Sequence, residues 1–461
     1  MTRLMLLTSA ALAALPIAAP AQVAPMGQVT PYQPGARPAP RVDPLSPAAS
    51  QPVTTTPVNT PQSSQPVEPL PPPPPPAIWP AADVAALISY IQGIGKEGLN
   101  PADYDPAGLQ AALASRDPAI ASAAATARFN QLSNDLALGH VRGTSRVDWH
   151  VVDKDLDATR QRALLDGALA HHQVPQALDA LLPTHPQYGA LRAALAETIA
   201  NDPANTARIN LIRLNMDRWR WLPRDLGRKY VIVNIPSFHV TLVQDGQIRW
   251  KQRAIAGKVT TKTPNLSVLA TGVVLNPSWA VPDSISGEVR GKKGFTPVKA
   301  ADGHVKYWLQ PPGPTNALGE LKFVMPNKYN IYLHDTNARS RFNSDVRALS
   351  HGCVRTQNIV DLATTLLMDD GGKWTPESVR AALDTKKTQV ASFVKPVPVY
   401  IVYFSAAAAT DGTITTYQDL YNRDPAVISA LLTRTGESAK AKAADQATKN
   451  KGDDKTPESK D

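Results

Sequence analysis

The sequence predicts an α+β protein in which a helical unit precedes a mainly-β unit. Three observations carry this. Apolar residues recur at helical spacing from Ala81 to about Ala200; β-branched and aromatic runs separated by turn formers replace them after Asp202-Pro203; and segments poor in apolar side chains flank the whole. Over 461 residues, a hydrophobic fraction of 43% suffices for one or two sizeable cores.

Taken in order, Met1 to Ala21 carries Arg3, an apolar run reaching Ala14-Leu15, and the small-x-small pattern Ala19-Pro20-Ala21. This reads as a signal peptide over 1–21, which predicts export to the periplasm. Its apolar stretch is shorter than the roughly 20 residues that cross a bilayer. Residues 22–80 are dominated by Pro, Gln, Thr, Ser and Ala and end in the run Pro71 to Pro76. Such a stretch cannot build a core, so it is read as a disordered tether, partly polyproline II, acting as a spacer or as a docking segment for a protein partner.

The helical unit is expected over 81–202. Val84, Leu87, Ile88 and Ile91 form one stripe, Leu178, Leu181 and Leu182 another, and Leu191, Ala194 and Leu195 a third. Breaks are expected at Asn100-Pro101-Ala102-Asp103, Arg116-Asp117-Pro118 and Pro183-Thr184-His185-Pro186. The β-rich unit is expected over 203–425. Strands are predicted at Tyr230–Ile235, at Phe238–Val243 and Gln247–Ala254 around the Asp245-Gly246 turn, and at Ser267–Leu275, Lys328–Leu333 and Val397–Phe404. Helices are predicted after Cys353, through Ile359, Val360, Leu362, Leu366 and Leu367, and from Thr375-Pro376-Glu377. Residues 276–321 interrupt the β pattern with Ser284 to Gly294 and a proline-rich run, and are read as a lid, with Trp279, Tyr307 and Trp308 as stacking groups or as core. Residues 426–461 are read as a helical end and a disordered tail.

The chemistry concentrates at the single cysteine, Cys353, in Ser350-His351-Gly352-Cys353-Val354-Arg355. His334 precedes it in Tyr332-Leu333-His334-Asp335-Thr336. A thiol attacks as thiolate and needs a neighbour such as an imidazole to take its proton, and two histidines lie within 19 positions. A lone cysteine in an exported chain cannot form an intramolecular disulfide, which favours a reactive thiol over an inert core one. Placed just before a helix, it predicts an oxyanion hole from the N–H groups around Gly352 and Cys353. A zinc site of His334, His351 and Cys353 is the competing reading, without a Cys-x-x-Cys or His-Glu-x-x-His pattern to accompany it. His140, His150, His171, His172, His185, His239 and His304 are read as surface or packing residues. The formal charge of +9 suits an anionic polymer or surface. Nucleic acid is disfavoured because no basic run is concentrated anywhere.

The hexapeptide at Cys353, with His334 upstream, resembles the signature of the L,D-transpeptidase family with a YkuD-type catalytic domain. The likeness extends over most of the folded chain. Trp219-Arg220-Trp221-Leu222-Pro223, Asn276-Pro277-Ser278-Trp279 with Val281-Pro282, and Asp419-Leu420-Tyr421 resemble the large periplasmic, YcbB-like branch, as do Gly98 to Tyr104 and Pro186-Gln187-Tyr188 in its scaffold domain. The resemblance implies a β-sandwich catalytic domain with a few helices behind the scaffold domain. Cys353 would be the nucleophile and His334 the general base, oriented by the main-chain carbonyl of Asp335, with His351 and Gly352 lining the oxyanion site. Ser350, Arg355, Trp279 and Tyr332 would contact substrate, although Arg355 is equally readable as a loop support.

The resemblance also implies the substrates: a tetrapeptide donor attacked at its third residue, a cysteine thioester, and a diamino-acid acceptor giving a 3→3 cross-link. Carbapenem-type β-lactams would acylate Cys353, and no cofactor or metal is implied. Water as acceptor would make the protein an L,D-carboxypeptidase, and a protein lysine would make it a wall-anchoring enzyme. A non-catalytic cell-wall scaffold is the alternative from another class. Two departures stand out: too little chain separates Leu195 from Trp219 for the branch's peptidoglycan-binding module, and Asn337 stands where proline is expected.

Overall fold

The computed structural model describes residues 75–152, 155–369, 371, 373–409 and 413–433. The expected signal peptide, most of the tether and the C-terminal tail lie outside them. No helix among the described residues is long and apolar enough to cross a membrane.

Seven helices open the described chain: α1 (Ala81–Gln92), α2 (Pro106–Ala114), α3 (Pro118–Leu138), α4 (Ala158–Ala170), α5 (Val174–Asp179), α6 (Pro186–Asn201) and α7 (Thr206–Arg220). They start where the sequence punctuates. Asp105, Asp117 and Asp157 cap α2, α3 and α4 by accepting main-chain N–H bonds, and His185 does the same for α6, each with proline in the first turn except at α4. The stripe Val84, Leu87, Ile88 and Ile91 is buried with Phe129, Leu132 and Leu136 of α3 and Leu178 of α5. Between Leu195 and the first strand lie the end of α6, α7 and one connection, with no further module.

The β-rich unit comprises β1 (Lys229–Asn234), β2 (His239–Gln244), β3 (Gln247–Gly257), β4 (Leu266–Leu275), β5 (Trp279–Val281), α8 (Asp283–Val289), β6 (Thr296–Lys299), β7 (Val305–Gln310), β8 (Leu321–Val324), β9 (Leu333–His334), β10 (Ala348–Ser350), β11 (Val354–Thr356), α9 (Ile359–Asp369), α10 (Pro376–Asp384), β12 (Gln389–Val402) and α11 (Asp424–Leu432). The main sheet runs β10-β3-β11-β9-β8-β4-β12-β1-β2, and β2 also pairs with β3. The sandwich is therefore one sheet folded over and closed by the β2–β3 hairpin. At its turn Asp245 and Gly246 both take positive φ, 48° and 75°, as a tight two-residue hairpin requires. Ile359, Leu362, Leu366 and Leu367 of α9 and Val379 and Leu383 of α10 complete the core.

Three expectations are corrected. Residues 328–332 form no strand, because Asn327 curls the chain. Its Oδ1 accepts from the N–H of Tyr329 and Ile331, and its Nδ2 donates to the carbonyls of Met325 and Ile331, leaving only Leu333–His334 extended. The 276–321 segment is not a bare loop but holds α8 and a small sheet ordered β5-β7-β6, knit through Val281 and Pro297 to Trp308. Cys353 does not head a helix: β11 follows it, and α9 begins only at Ile359. Val354 and Arg355 are held by the ladders to β9 and β3, so the helix dipole does not reach the thiol.

Helix α7 joins the two units. Its apolar face, Ile212, Met216 and Trp219, packs with Tyr188 and Leu191 of α6 and with Tyr230, Tyr400 and Phe404 of the β-rich unit, and Trp219 stacks between His185 and Phe404. Its buried polar face is heavily hydrogen-bonded, with Arg220 Nε left without a partner. Asn215 bonds both N–H and hydroxyl of Ser405, Arg218 pairs with Asp424 at 2.8 Å, and Arg220 bonds Asp217, the Tyr188 hydroxyl and the Glu97 carbonyl. Asp217 also accepts from the N–H groups of His140 and Val141 and from Trp221 Nε1. Burial opposes ionisation of Asp217, but Arg220 and these N–H donors outweigh it and hold the carboxyl below its usual range. A depressed pKa in the folded state contributes stability at neutral pH that is lost as pH falls below the usual carboxylate range near 4. Asp217→Asn is expected to cost about 3 kcal/mol in urea unfolding at pH 7, with the difference from wild type shrinking towards pH 3.

Candidate active site

Three short strands place the functional side chains. Strand β9 pairs in parallel with β11, Val354 opposite Leu333 and Arg355 opposite His334, and antiparallel with β8, His334 opposite Lys322. Side chains alternate along a strand, so Leu333 and Val354 point into the core, both fully buried, while Tyr332, His334, Cys353 and Arg355 face the other way. These four and Lys322 line one cavity of about 880 Å³. Its far wall is the 276–321 segment, including Trp279, Val281 and Tyr307, whereas Trp308 is not in the lining. Trp279 and Tyr332 thus stand where the sequence places substrate contacts, and an interaction between their side chains lowers the Tyr332 pKa against the dominant upward push of burial.

Burial, first, pushes the Cys353 thiol up; the main chain and hydroxyl of Tyr332, then Lys322 and Arg355, act in the opposite sense without overcoming it. His334 is buried and pushed down to about 3, first by desolvation and then by Arg355, partly opposed by the main chain and charge of Asp335. The resting pair is neutral thiol and neutral imidazole. The Asp335 main chain pushes the His334 pKa upward, yet His334 Nδ1 is buried without a hydrogen bond of normal geometry. The Asp335 side chain points elsewhere, accepting from Glu320 N at 3.0 Å and pairing with Arg339 at 2.6 Å, so its part in the site is a main-chain one.

The loop before Cys353 is held from behind. Ser350 Oγ donates to the Cys353 carbonyl at 2.5 Å and accepts from Gly352 N at 3.1 Å. Ser350 therefore staples the loop from a position that also lines the cavity, and the Gly352 N–H, expected at the oxyanion, is engaged by it. Gly352 is required by shape: its φ is 121°, and a Cβ there would press on Ile331. His351 turns outward, its Nε2 3.1 Å from Glu288 of α8. Sequence reasoning missed Thr263, which is fully buried. Its hydroxyl donates to the Gly352 carbonyl at 2.7 Å and accepts from Gly257 N, while its own N–H meets the Tyr421 hydroxyl, which donates to the Gly257 carbonyl. Nothing local in sequence marks Thr263. Lys322 was also missed, although its strand position opposite His334 makes it a wall of the cavity; burial lowers its pKa.

Arg355 resolves differently from Ser350. Its guanidinium lies in the cavity, its Nε is buried without a hydrogen-bond partner, and burial lowers its pKa. A cation left unpaired at the cavity wall is suited to a carboxylate ligand.

Comparison with known proteins agrees with this geometry. Residues 228–399 match the L,D-transpeptidase catalytic domain, YkuD, and residues 77–195 match the scaffold domain. The β-rich unit is thus a catalytic domain of the L,D-transpeptidase class. With the scaffold domain ahead of it, the chain combines the two domains in an arrangement consistent with the YcbB-like branch of that class. A curated protein of Haemophilus influenzae with a provisional L,D-transpeptidase assignment is 31% identical over 238 residues, 46% of this chain and 48% of that protein, so the chain spans about half the length of that relative. Among solved structures, the avibactam carbamoyl enzyme of Ldtfm is 14% identical over 40% of this chain and 51% of its own, with a TM-score of 0.23. The Enterococcus faecium catalytic domain acylated by ertapenem is 15% identical over 38% of this chain and 97% of its own, with a TM-score of 0.21. Likenesses at that level are too slight to carry the chemistry.

Two outcomes are expected. Alkylation of Cys353 by iodoacetamide should keep accelerating above pH 9, where a raised thiol finally ionises, with no plateau between pH 6 and 8 of the kind a thiolate–imidazolium pair gives. Thr263→Val strands the Gly257 N–H and the Gly352 carbonyl and should slow acylation of Cys353 about tenfold, while Thr263→Ser restores it.

Proposed function

We propose that the protein is a periplasmic peptidoglycan L,D-transpeptidase that forms 3→3 cross-links through a thioester on Cys353. The observation that carries the proposal is the placement of Cys353, His334 and Arg355 on one face of the β9–β11 pair, at the floor of a single large cavity. As Sγ attacks the carbonyl of the third residue of a tetrapeptide stem, its proton passes to His334. The imidazolium then protonates the departing terminal D-alanine amine, leaving a thioester. A side-chain amine of a second stem's diamino acid attacks the thioester, gives its proton to His334, and releases Cys353, which recovers that proton.

The depressed His334 pKa leaves the ring neutral and free to accept a proton, but it also weakens the ring as a base, so proton uptake is coupled to the negative charge that forms on attack. With the Gly352 N–H held by Ser350, the oxyanion is assigned to the Cys353 N–H. Arg355 and Lys322 hold stem carboxylates. The 276–321 segment serves as the lid and is fastened to the nucleophile loop by the His351–Glu288 contact. Carbapenems are expected to acylate the same thiol. The alternatives differ in the acceptor, water or a protein lysine, or abolish chemistry altogether in a wall-binding scaffold; the Pro-rich tether is left for a protein partner.

Intact-mass measurement of the mature chain with disaccharide-tetrapeptide, and separately with a carbapenem, tests the reading. Wild type is expected to show a covalent adduct and a 3→3 dimer, and Cys353→Ala neither. Hydrolysed tripeptide without dimer would move the assignment to carboxypeptidase, and well-folded protein with no adduct would favour the scaffold.

A further inference from the structure

Outside the catalytic cavity, strand β3 presents Arg249, Lys251 and Arg253 at every second position, all exposed, and none of the three forms an ion pair among the described residues. Cross-strand pairing sets His239 beside Arg253 and Thr241 beside Lys251 on the same outer face. His239, Lys251, Arg253 and the amides of Gln252 and Gln357 line a shallow groove of about 440 Å³. No carboxylate is in its lining. Nearby, Asp345 acts on Arg347, which is not in the lining. His239 reports the resulting field: burial, first, and then Lys251, Arg347 and Arg253 depress its pKa.

The groove connects to the active site. Strand β11 lies between Cys353 and Gln357, whose N–H is donated to the Arg253 carbonyl, so the groove begins four residues beyond the thiol, about 13 Å along an extended chain. Arg341 sits between them. It acts electrostatically on Arg355 in the cavity, and the next two residues, Phe342 and Asn343, accept hydrogen bonds from Arg253 Nη1. Arg355, Arg341, Arg253 and Lys251 thus form a line of cations leading out of the cavity.

We infer that this line is a binding track for the polymer: the groove at Lys251 and Arg253 holds free carboxylates of peptidoglycan stem peptides whose neighbour is being processed at Cys353. The inference rests on the transpeptidase reading for its ligand and deepens it, since the chain has no separate wall-binding module between Leu195 and β1. Guanidinium and ammonium groups without an acidic partner bind carboxylates by charge-assisted hydrogen bonds, and their surface position makes the interaction salt-sensitive.

The test is co-sedimentation of the full chain with purified insoluble peptidoglycan across a salt series, comparing wild type with Lys251→Gln/Arg253→Gln. The double variant is expected to bind about tenfold more weakly at low salt, with a flatter salt dependence, and to be acylated by a carbapenem at the wild-type rate. Wild-type binding should also fall towards the variant's level on peptidoglycan whose carboxyls have been amidated. Equal sedimentation of variant and wild type, or a loss confined to anionic lipid vesicles with peptidoglycan binding intact, would overturn the track. Failure of the transpeptidase reading shows separately: a wild type that sediments in a Lys251- and Arg253-dependent way yet forms no acyl adduct keeps the track and loses the reaction.

Discussion

The site depends on the register between two strands of two and three residues. With Arg355 opposite His334 and Val354 opposite Leu333, the apolar members are driven into a core they share with Leu321 and Phe323, and the polar members are left on the cavity side. A shift of one residue would invert both faces, burying the cysteine, histidine and arginine and exposing the valine and leucine. The hydrophobic effect on Leu333 and Val354 therefore fixes the chemistry next to them. Strands this short have little ladder of their own, and β3 and β8 on either side hold them in place.

The same core accounts for the electrostatics. Sitting on the inner layers of a closed sheet, the thiol and the imidazole are both desolvated, so each favours its neutral form. An exposed pair would exchange a proton before substrate arrives. On the proposed mechanism the proton would move with attack, so that the reactive charge would exist only while a ligand is present to meet it. Such a thiol is also shielded from the oxidation to which a standing thiolate is prone.

The helical unit reaches this site through buried polar contacts. Arg423 bonds Asp148 from the helical unit, the Asn265 side chain and the Thr263 carbonyl, and Asn265 exchanges main-chain hydrogen bonds with Asp148 and His150. Thr263 in turn holds Gly352, one residue before Cys353. Together with the polar face of α7, this makes the two units one packed body around the catalytic loop, and a buried polar chain of this kind tolerates few alternative arrangements.

The sequence by itself determined the two textures, the breaks at Asp117 and His185, the Asp245-Gly246 hairpin and the motifs that carry Cys353 and His334, because each is written in local periodicity or in a contiguous motif. It misjudged what long-range pairing decides. Lys328–Leu333 has strand-forming composition, but the Asn327 side chain bends it; Cys353 lies upstream of a helix, but β11 intervenes. Thr263, Lys322 and the cationic line from Arg355 to Lys251 left no trace in sequence, since their neighbours are brought in from strands tens of residues away. Only the closure of the sheet sets those groups side by side, and the free energy that closes it comes from the apolar side chains between them.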